Sequence, residues 1–262
     1  LYGKQISENE AGRIRKEFLW LPEEARAGIA IILDGTAEAV RLRKEAFAKL
    51  TKEDWNLLRR MQAELYENQL AYTDLFLEKV DFVRLSDAAF ALARAVDIAK
   101  PFLETGIAKM RRRFMQFELD TPAGLVIIGG PKDNLYGKDA LLIVDFGGND
   151  IYANNAGGSE RIVSGISIVV DCLGNDKYVT RGDFAQGAGI FGVGMLVDLG
   201  GDDIYNDENS RMQFGQGSAL CGVGLLWDES GNDEFYSDTF SQGAAHIGVG
   251  LLVNGGGNDR YF

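Results

Sequence analysis

Acidic residues recur in pairs along the second half of the chain, with a glycine between the two members. Each pair has the form D-x-x-G-[ND]-D, so that two carboxyl side chains flank a tight turn. Carboxylate and carbonyl oxygens are the ligands that Ca²⁺ prefers in proteins. The pattern therefore predicts metal ligands at Asp145, Asp150, Asp171, Asp176, Asp198, Asp203, Asp228, Asp233 and Asp259, with Asn254 replacing the first acid of the last pair.

The acidic pairs belong to a longer repeat of fixed length. Its copies are Phe184–Tyr205, Phe214–Phe235 and Phe240–Tyr261, and each reads F-x-Q-G-x-x-x-x-G-V-G-[ML]-L-x-[DN]-x-x-G-[ND]-D-x-[YF]. Two earlier, degenerate copies keep only the corner, at Asp145–Tyr152 and Asp171–Tyr178. A repeat of this size indicates a solenoid, a propeller or another array.

Each copy predicts three short strands. The apolar run Val193–Val197 is too short for a helix and ends at the Gly/Asp turn. After the turn, a two-residue alternation turns one column of rings inward. The Phe184 and Gln186 positions predict a third strand with its own inward ladder. Three strands per copy predict a parallel β-solenoid of about five to six coils, spaced about 4.8 Å apart. The ring column is Tyr152, Tyr178, Tyr205, Phe235 and Tyr261.

Stacking the coils would place the acidic residues of successive corners about 5 Å apart. Like charges at that distance repel each other unless a cation or hydrogen-bond donors lie between them. Two interpretations remain open at this point. Either Ca²⁺ binds between the carboxylates, or each Asp or Asn only accepts hydrogen bonds from the N–H groups of its own turn.

The repeat resembles the glycine- and aspartate-rich parallel β-solenoids of bacterial surface and secreted proteins, including calcium-binding RTX-like β-rolls, over residues 125–262. This resemblance implies Ca²⁺ as a ligand and a location outside the cell or at its surface. RTX copies, however, recur about every nine residues as G-G-x-G-x-D, whereas this chain has one corner per much longer coil. The metal geometry therefore does not transfer. The residues that match a turn-closing ligand are Asp150, Asp176, Asp203, Asp233 and Asp259.

The first half of the chain has a different composition. Residues 1–120 hold 20 basic and 20 acidic residues, whereas residues 121–262 hold 7 and 19, so the second half carries the whole net charge of −12. Of the 33 glycines, 28 follow position 120. The sequence therefore predicts an α+β chain in two parts, a helical domain at 1–120 and a β-solenoid domain at 121–262.

Helical spacing of apolar residues predicts a bundle or sheath of about four to six helices in the first part. Pro22 and Thr51 mark two helix starts, and Pro101 is expected to end or kink a later helix. A last helix is expected over Ile107–Phe117. The basic cluster Arg111–Arg113 is expected to complement a helix end or to face the acidic solenoid, so we predict no nucleic-acid partner.

The sequence favours a non-catalytic structural or interaction module, because the acids are the most regular feature of the repeat and an active site would be a local exception to it. His246 is the only histidine, which excludes a Ser-His-Asp triad and a multi-histidine metal site. The alternative is a carbohydrate-active or carbohydrate-binding β-helix that uses paired carboxylates. A cleft that joins Tyr or Trp to two carboxylates outside the repeat would favour this alternative.

The last coil indicates where a partner would bind. A bare terminal coil has unpaired backbone groups, and Gly256–Phe262 carries no proline, helix or charged run that would protect them. We expect further coils, a second copy or another protein to cover it, with polysaccharide as the alternative partner. The chain starts at Leu1 rather than Met, so we expect it to be a piece of a longer protein. No stretch has the roughly 20 apolar residues of a membrane span.

Overall fold

The structure is a computed structural model that describes residues 8–63, 69–110, 114–160, 162–180, 182–207, 209 and 212–262. It confirms the two-part α+β architecture, in which helices precede a parallel β-solenoid. Five helices lie in the described part of the chain. They are α1 Glu8–Phe18, α2 Glu23–Ala46, α3 Lys52–Ala63, α4 Gln69–Lys79 and α5 Phe82–Lys109.

The two long helices, α2 and α5, pack closely because small residues lie at their contact. A Cβ atom on Gly106 would come within 2.8 Å of Ala25, and one on Gly28 within 2.6 Å of Leu103. Pro101 lies inside α5 and does not end it, because Leu92, Val96 and Leu103 are buried on both sides of it and tertiary packing holds the helix together.

The expected last helix over Ile107–Phe117 is wrong. Helix α5 ends at Lys109, and strand β1, Gln116–Thr121, pairs antiparallel with β2, Gly124–Gly129. This hairpin buries Phe117, whose ring packs edge-on against Phe18 with the ring centroids 5.5 Å apart. Strand pairing therefore outweighs the helical spacing of the apolar residues. Arg111–Arg113 lie outside the described residues.

The solenoid has three sheets. The long sheet continues from β1 and β2 through five further strands, all parallel. They are β4 Leu142–Asp145, β6 Ile166–Asp171, β9 Val193–Asp198, β12 Val223–Asp228 and β15 Val249–Asn254. The second sheet follows the corners and contains β3 Leu135–Tyr136, β5 Ile151–Tyr152, β7 Lys177–Tyr178, β10 Ile204–Tyr205, β13 Glu234–Phe235 and β16 Arg260–Tyr261.

The third sheet lies later in the repeat than the sequence indicates. Its strands are β8 Gly189–Ile190, β11 Ala219–Leu220 and β14 Ala245–His246. The predicted strand positions Phe184 and Gln186 have φ values of 64° and 51°, which are left-handed and incompatible with a strand. The rings of Phe184, Phe214 and Phe240 nevertheless stack on each other, as the predicted ladder requires.

About four turns of the solenoid carry all three sides, compared with the five to six coils expected. The third side begins after β5, where Asn155 and Ala156 accept hydrogen bonds from the backbone of Gln186 and Gly187. Before that point, only the short link Gly137–Leu141 joins β3 to β4, so the coil that contains the first corner lacks a third side.

The helices cover the outer face of the long sheet. Alternate residues such as Ile143, Val169 and Leu196 point into the solenoid and pack with the ring column. Their neighbours, such as Val170 and Met195, share a core with α2 and α5. Among the described helices, none combines the length and the apolar character that crossing a bilayer requires.

The outer face of the last strand differs from those of its predecessors. Val249, Leu251 and Val253 on β15 are 46%, 47% and 43% exposed, whereas the equivalent residues of β9 are buried. The apolar outer face of the solenoid therefore continues past the area that the helices cover.

Candidate metal centres at the buried corners

The predicted ligands occupy two positions in each coil. The first aspartate of each pair is the last residue of a long-sheet strand, and the second closes the corner just before the short strand. Eight of the nine predicted ligands are at most 1% exposed, although they lie at the corners of the solenoid. The ninth, Asp259 of the last coil, is half-buried. Because a carboxylate rarely lies fully buried without a partner, the contacts of each oxygen matter.

Strand-end aspartates accept hydrogen bonds from the tyrosine of the preceding coil. The Tyr178 hydroxyl donates to Asp198 Oδ2 at 2.6 Å, and the Tyr205 hydroxyl donates to Asp228 Oδ2 at 2.7 Å. The same bond joins Tyr136 to Asp145 and Tyr152 to Asp171. The stacked tyrosine rings, with centroids 4.7–4.8 Å apart, hold these hydroxyls in a row.

The other oxygen of most strand-end aspartates closes the local turn. Oδ1 of Asp145, Asp171 and Asp198 accepts the backbone N–H two residues later, at 2.6–3.1 Å. This is the turn closure that one of the two interpretations requires. The structure does not give Asp228 the same bond, and its Oδ1 is buried without a partner.

Corner aspartates do not close their own turn but bind the coil before them. Oδ1 of Asp176 accepts the backbone N–H of Asp150 at 2.6 Å, and Oδ1 of Asp203 accepts that of Asp176 at 2.6 Å. The same contact continues from Asp203 to Asp233 and from Asp233 to Asp259. Successive corners are therefore joined by a ladder of side chain to backbone bonds.

One oxygen of each interior corner aspartate has no protein donor. Within the described residues, Oδ2 of Asp150, Asp176, Asp203 and Asp233 is buried and makes no hydrogen bond. The four aspartates that carry these oxygens each belong to a group of neighbouring carboxylates. Carboxylate oxygens, one from each residue, lie within 4.8 Å of one another in three groups. The groups are Asp145, Asp150 and Asp171; Asp176, Asp198 and Asp203; and Asp203, Asp228 and Asp233.

Burial and mutual repulsion raise the pKa values of these carboxyls. Burial raises the pKa of Asp198 to about 7 and that of Asp176 to about 6. Burial followed by the charge of Asp150 raises the pKa of Asp145 well above its usual range. Each cluster is therefore costly as a set of bare anions and needs protons or a cation to balance its charge.

The clusters fit a hard divalent cation in their donor chemistry. All their ligand atoms are oxygens, and each cluster includes at least one aspartate with an oxygen that no protein donor uses. When bound, Ca²⁺ would supply the positive charge that each cluster lacks. The structure brings eight predicted ligands into three clusters and leaves Asp259 outside them, within the described part of the chain.

The sequence reasoning missed the tyrosine hydroxyls as partners of the carboxylates and treated the rings only as core. A signal for the pairing is present in the repeat. The one phenylalanine of the ring column, Phe235, precedes the one asparagine of the strand-end column, Asn254. Where the hydroxyl is missing, the carboxylate is missing too, and the Asn254 amide instead donates to the Tyr261 hydroxyl at 2.9 Å.

Comparison of the chain with protein-family models, with curated proteins and with solved structures finds no match. The proposal for its function therefore comes from its own geometry.

Proposed function

We propose that this protein is a non-catalytic structural and interaction module, a β-solenoid that binds Ca²⁺ in its corner clusters and assembles through its last coil. The observation that carries the proposal is the burial of the clustered carboxylates, which are at most 1% exposed and recur coil after coil. A catalytic carboxylate must reach its substrate, and these side chains face only the solenoid interior.

The alternative, a carbohydrate-active or carbohydrate-binding β-helix, has less support. The ring of Trp55 lines a cavity of about 570 Å³, but Glu160 is the only carboxylate among the described residues of its lining. Glycoside hydrolysis by the common mechanisms needs two carboxyl groups that flank the bond to be broken.

Calcium is the cation that suits these clusters best. Asp203 belongs to two of them, so ions bound there would share a ligand along the solenoid axis. The resemblance of the repeat to the β-solenoids of surface and secreted proteins supports a location outside the cell or at its surface. The bound ions would balance the charge of the carboxylates, as protons do in the ion-free protein.

The last coil is the surface that we propose for assembly or surface attachment. Val249, Leu251 and Val253 form an exposed apolar stripe along β15. A second copy offers the same stripe, so that two chains related by a twofold axis would bury both stripes in one contact. Covering the stripe would continue the cover that the helices provide on the earlier strands.

Light scattering coupled to size exclusion tests this assembly. We expect a mass of twice 28.7 kDa at micromolar concentration, and we expect Leu251→Lys to reduce it to 28.7 kDa because a charge would enter the buried stripe. Leu135→Lys is the matched control, since Leu135 is a 66% exposed apolar residue on another strand. A wild-type mass of one chain across this concentration range would overturn the assembly, and equal effects of both variants would place the contact elsewhere.

A further inference from the structure

A second site lies where the helices meet the solenoid, and its lining is basic and apolar rather than acidic. The cavity of about 570 Å³ opens between α3 and the loop that joins β5 to β6. Its size is that of a small-molecule site. Arg43 and Arg59 contribute charge to its lining, and Trp55, Phe191 and Ile162 contribute apolar surface.

Arg43 is a cation without an acidic partner among the described residues. Its Nε and Nη2 atoms both donate to the Phe191 carbonyl, at 3.0 and 2.7 Å. Its guanidinium lies over the rings of Phe47 and Trp55, with distances of 4.4 and 5.2 Å to the ring centroids. Burial lowers its pKa to about 10. Nη1 has no bond in the described structure, and a guanidinium in this position retains donors for an incoming group.

The surroundings of Arg43 keep space for its side chain. Gly165 lies beside it, and a Cβ atom there would come within 2.5 Å of Arg43 Nε. Trp55 and Arg59 are one helical turn apart on α3, so a ring and a second cation share that wall. Among the described residues of the lining, Glu160 is the one acid, and Arg43 and Arg59 outnumber it.

From this geometry we infer that the cavity binds a small organic anion, an aromatic or similarly flat apolar group that carries a carboxylate or a phosphate. The oxyanion accepts from Arg43 and Arg59, because guanidinium groups pair with both kinds of oxyanion. The flat group packs against Trp55 and Phe191, which already contact each other edge-on with their ring centroids 6.5 Å apart. This inference does not depend on Ca²⁺ or on assembly.

Isothermal titration with benzoate, phenyl phosphate and benzyl alcohol tests the site. We expect saturable binding of at least one of the two anions and at least tenfold weaker binding of the uncharged alcohol. Whichever anion binds more tightly identifies the head group. Equal binding of the alcohol would overturn the inference because the site would then be merely apolar, and the absence of binding by both anions would overturn it as well.

Variants locate the binding. Arg59→Gln should weaken binding of the better anion at least fivefold, whereas Arg60→Gln, on the same helix but outside the lining, should leave it unchanged. Val163→Glu should weaken it and Val163→Gln should not, because Val163 lines the cavity with an 88% exposed side chain. Arg43→Met should abolish binding in a folded protein, but it also removes the two bonds to the Phe191 carbonyl, so the exposed variants decide. Unchanged affinity in both Arg59→Gln and Val163→Glu would overturn the assignment.

Discussion

At the scale of single residues, the tyrosine to aspartate bond explains how a carboxylate can lie inside a solenoid. In an unfolded chain the tyrosine hydroxyl would donate its hydrogen bond to water. Here it donates to a carboxylate oxygen that is buried away from water. Removing one partner leaves the other unsatisfied, which costs about 1–3 kcal/mol. Replacing both partners with a compatible pair removes that penalty.

We therefore predict that Tyr178→Phe destabilises the protein by about 1–3 kcal/mol, because Asp198 Oδ2 loses its donor. Adding Asp198→Asn to this variant should recover part of the loss, since the chain itself pairs Phe235 with Asn254. Urea unfolding of the two single variants and the double variant measures the coupling. Additive losses would show that the two side chains are energetically independent.

The sequence allows the carboxylate positions to be predicted, because the positions of Asp198 and Asp203 recur at fixed spacing and Asn254 is the one departure among them. It did not reveal which atom each oxygen contacts. Asp203 Oδ1 accepts a backbone N–H from the coil before it rather than from its own turn. That contact depends on how two coils stack, and no property of a single copy encodes it.

At the scale of the elements, one glycine in each corner permits the coils to stack. A Cβ atom on Gly201 would lie 1.5 Å from the Gly174 carbonyl oxygen, and one on Gly231 would lie 1.7 Å from that of Gly201. The backbones of successive corners therefore touch at this position. Any side chain would separate the corners and stretch the ladder of bonds between them.

Gly201→Ala should accordingly destabilise the protein by about 3 kcal/mol, the upper part of the usual range for overpacking. Gly256→Ala is the matched control, because a Cβ atom there meets nothing within 4 Å and its effect should stay within about 0.5 kcal/mol. Thermal or urea unfolding measures both. Similar losses in the two variants would mean that the corners relax around an added methyl group.

The elements that the sequence predicts best are those with an unambiguous period. The alternation after each turn correctly places the rings of Tyr152, Tyr178 and Tyr205 inside the solenoid. The sequence predicts the third strand too early in the repeat, because the left-handed backbone of Phe184 and Gln186 is rare for such residues and no pattern in the sequence indicates it. The spacing of Phe117 predicts a helix, whereas the residue lies in β1, which pairs with β2 in a hairpin.

At the scale of the whole molecule, the buried acids link stability to pH. The pKa values of Asp176 and Asp198 rise to about 6 and about 7, above the value of about 3.9 in an unfolded chain. The folded protein therefore binds more protons than the unfolded chain between about pH 4 and 7. The stabilisation is complete below this window and is lost as the pH rises through it.

We predict that, in EDTA, the free energy of unfolding contributed by the solenoid falls from about pH 4 to about pH 7. Millimolar Ca²⁺ should restore the stability at about pH 8 by mass action and should have little effect at about pH 5, where protons occupy the clusters. Thermal midpoints under the four conditions measure both effects. Equal midpoints with Ca²⁺ and EDTA at the higher pH would leave protons as the only counter-charge.

A pair of neighbouring acids provides the control for this experiment. Asp203 is buried in two clusters, whereas Asp202 is exposed at the same corner. Asp203→Asn should reduce both the pH dependence and the response to Ca²⁺, and Asp202→Asn should change neither. A response to Ca²⁺ that survives Asp203→Asn would place the ion elsewhere.

The bonds between corners also determine how the length of such a molecule can change over evolutionary time. A coil such as that of Asp198, Asp203 and Tyr205 brings one ring hydroxyl, one strand-end carboxylate and one corner carboxylate, and it exchanges equal numbers of donors and acceptors with its neighbours. Duplicating or deleting a whole coil of this kind therefore leaves the internal hydrogen bonds balanced. A partial insertion within the repeat body would instead leave a buried carboxylate without its hydrogen-bond donor. Unequal recombination at the repeat boundaries can lengthen or shorten the solenoid without redesigning its interior.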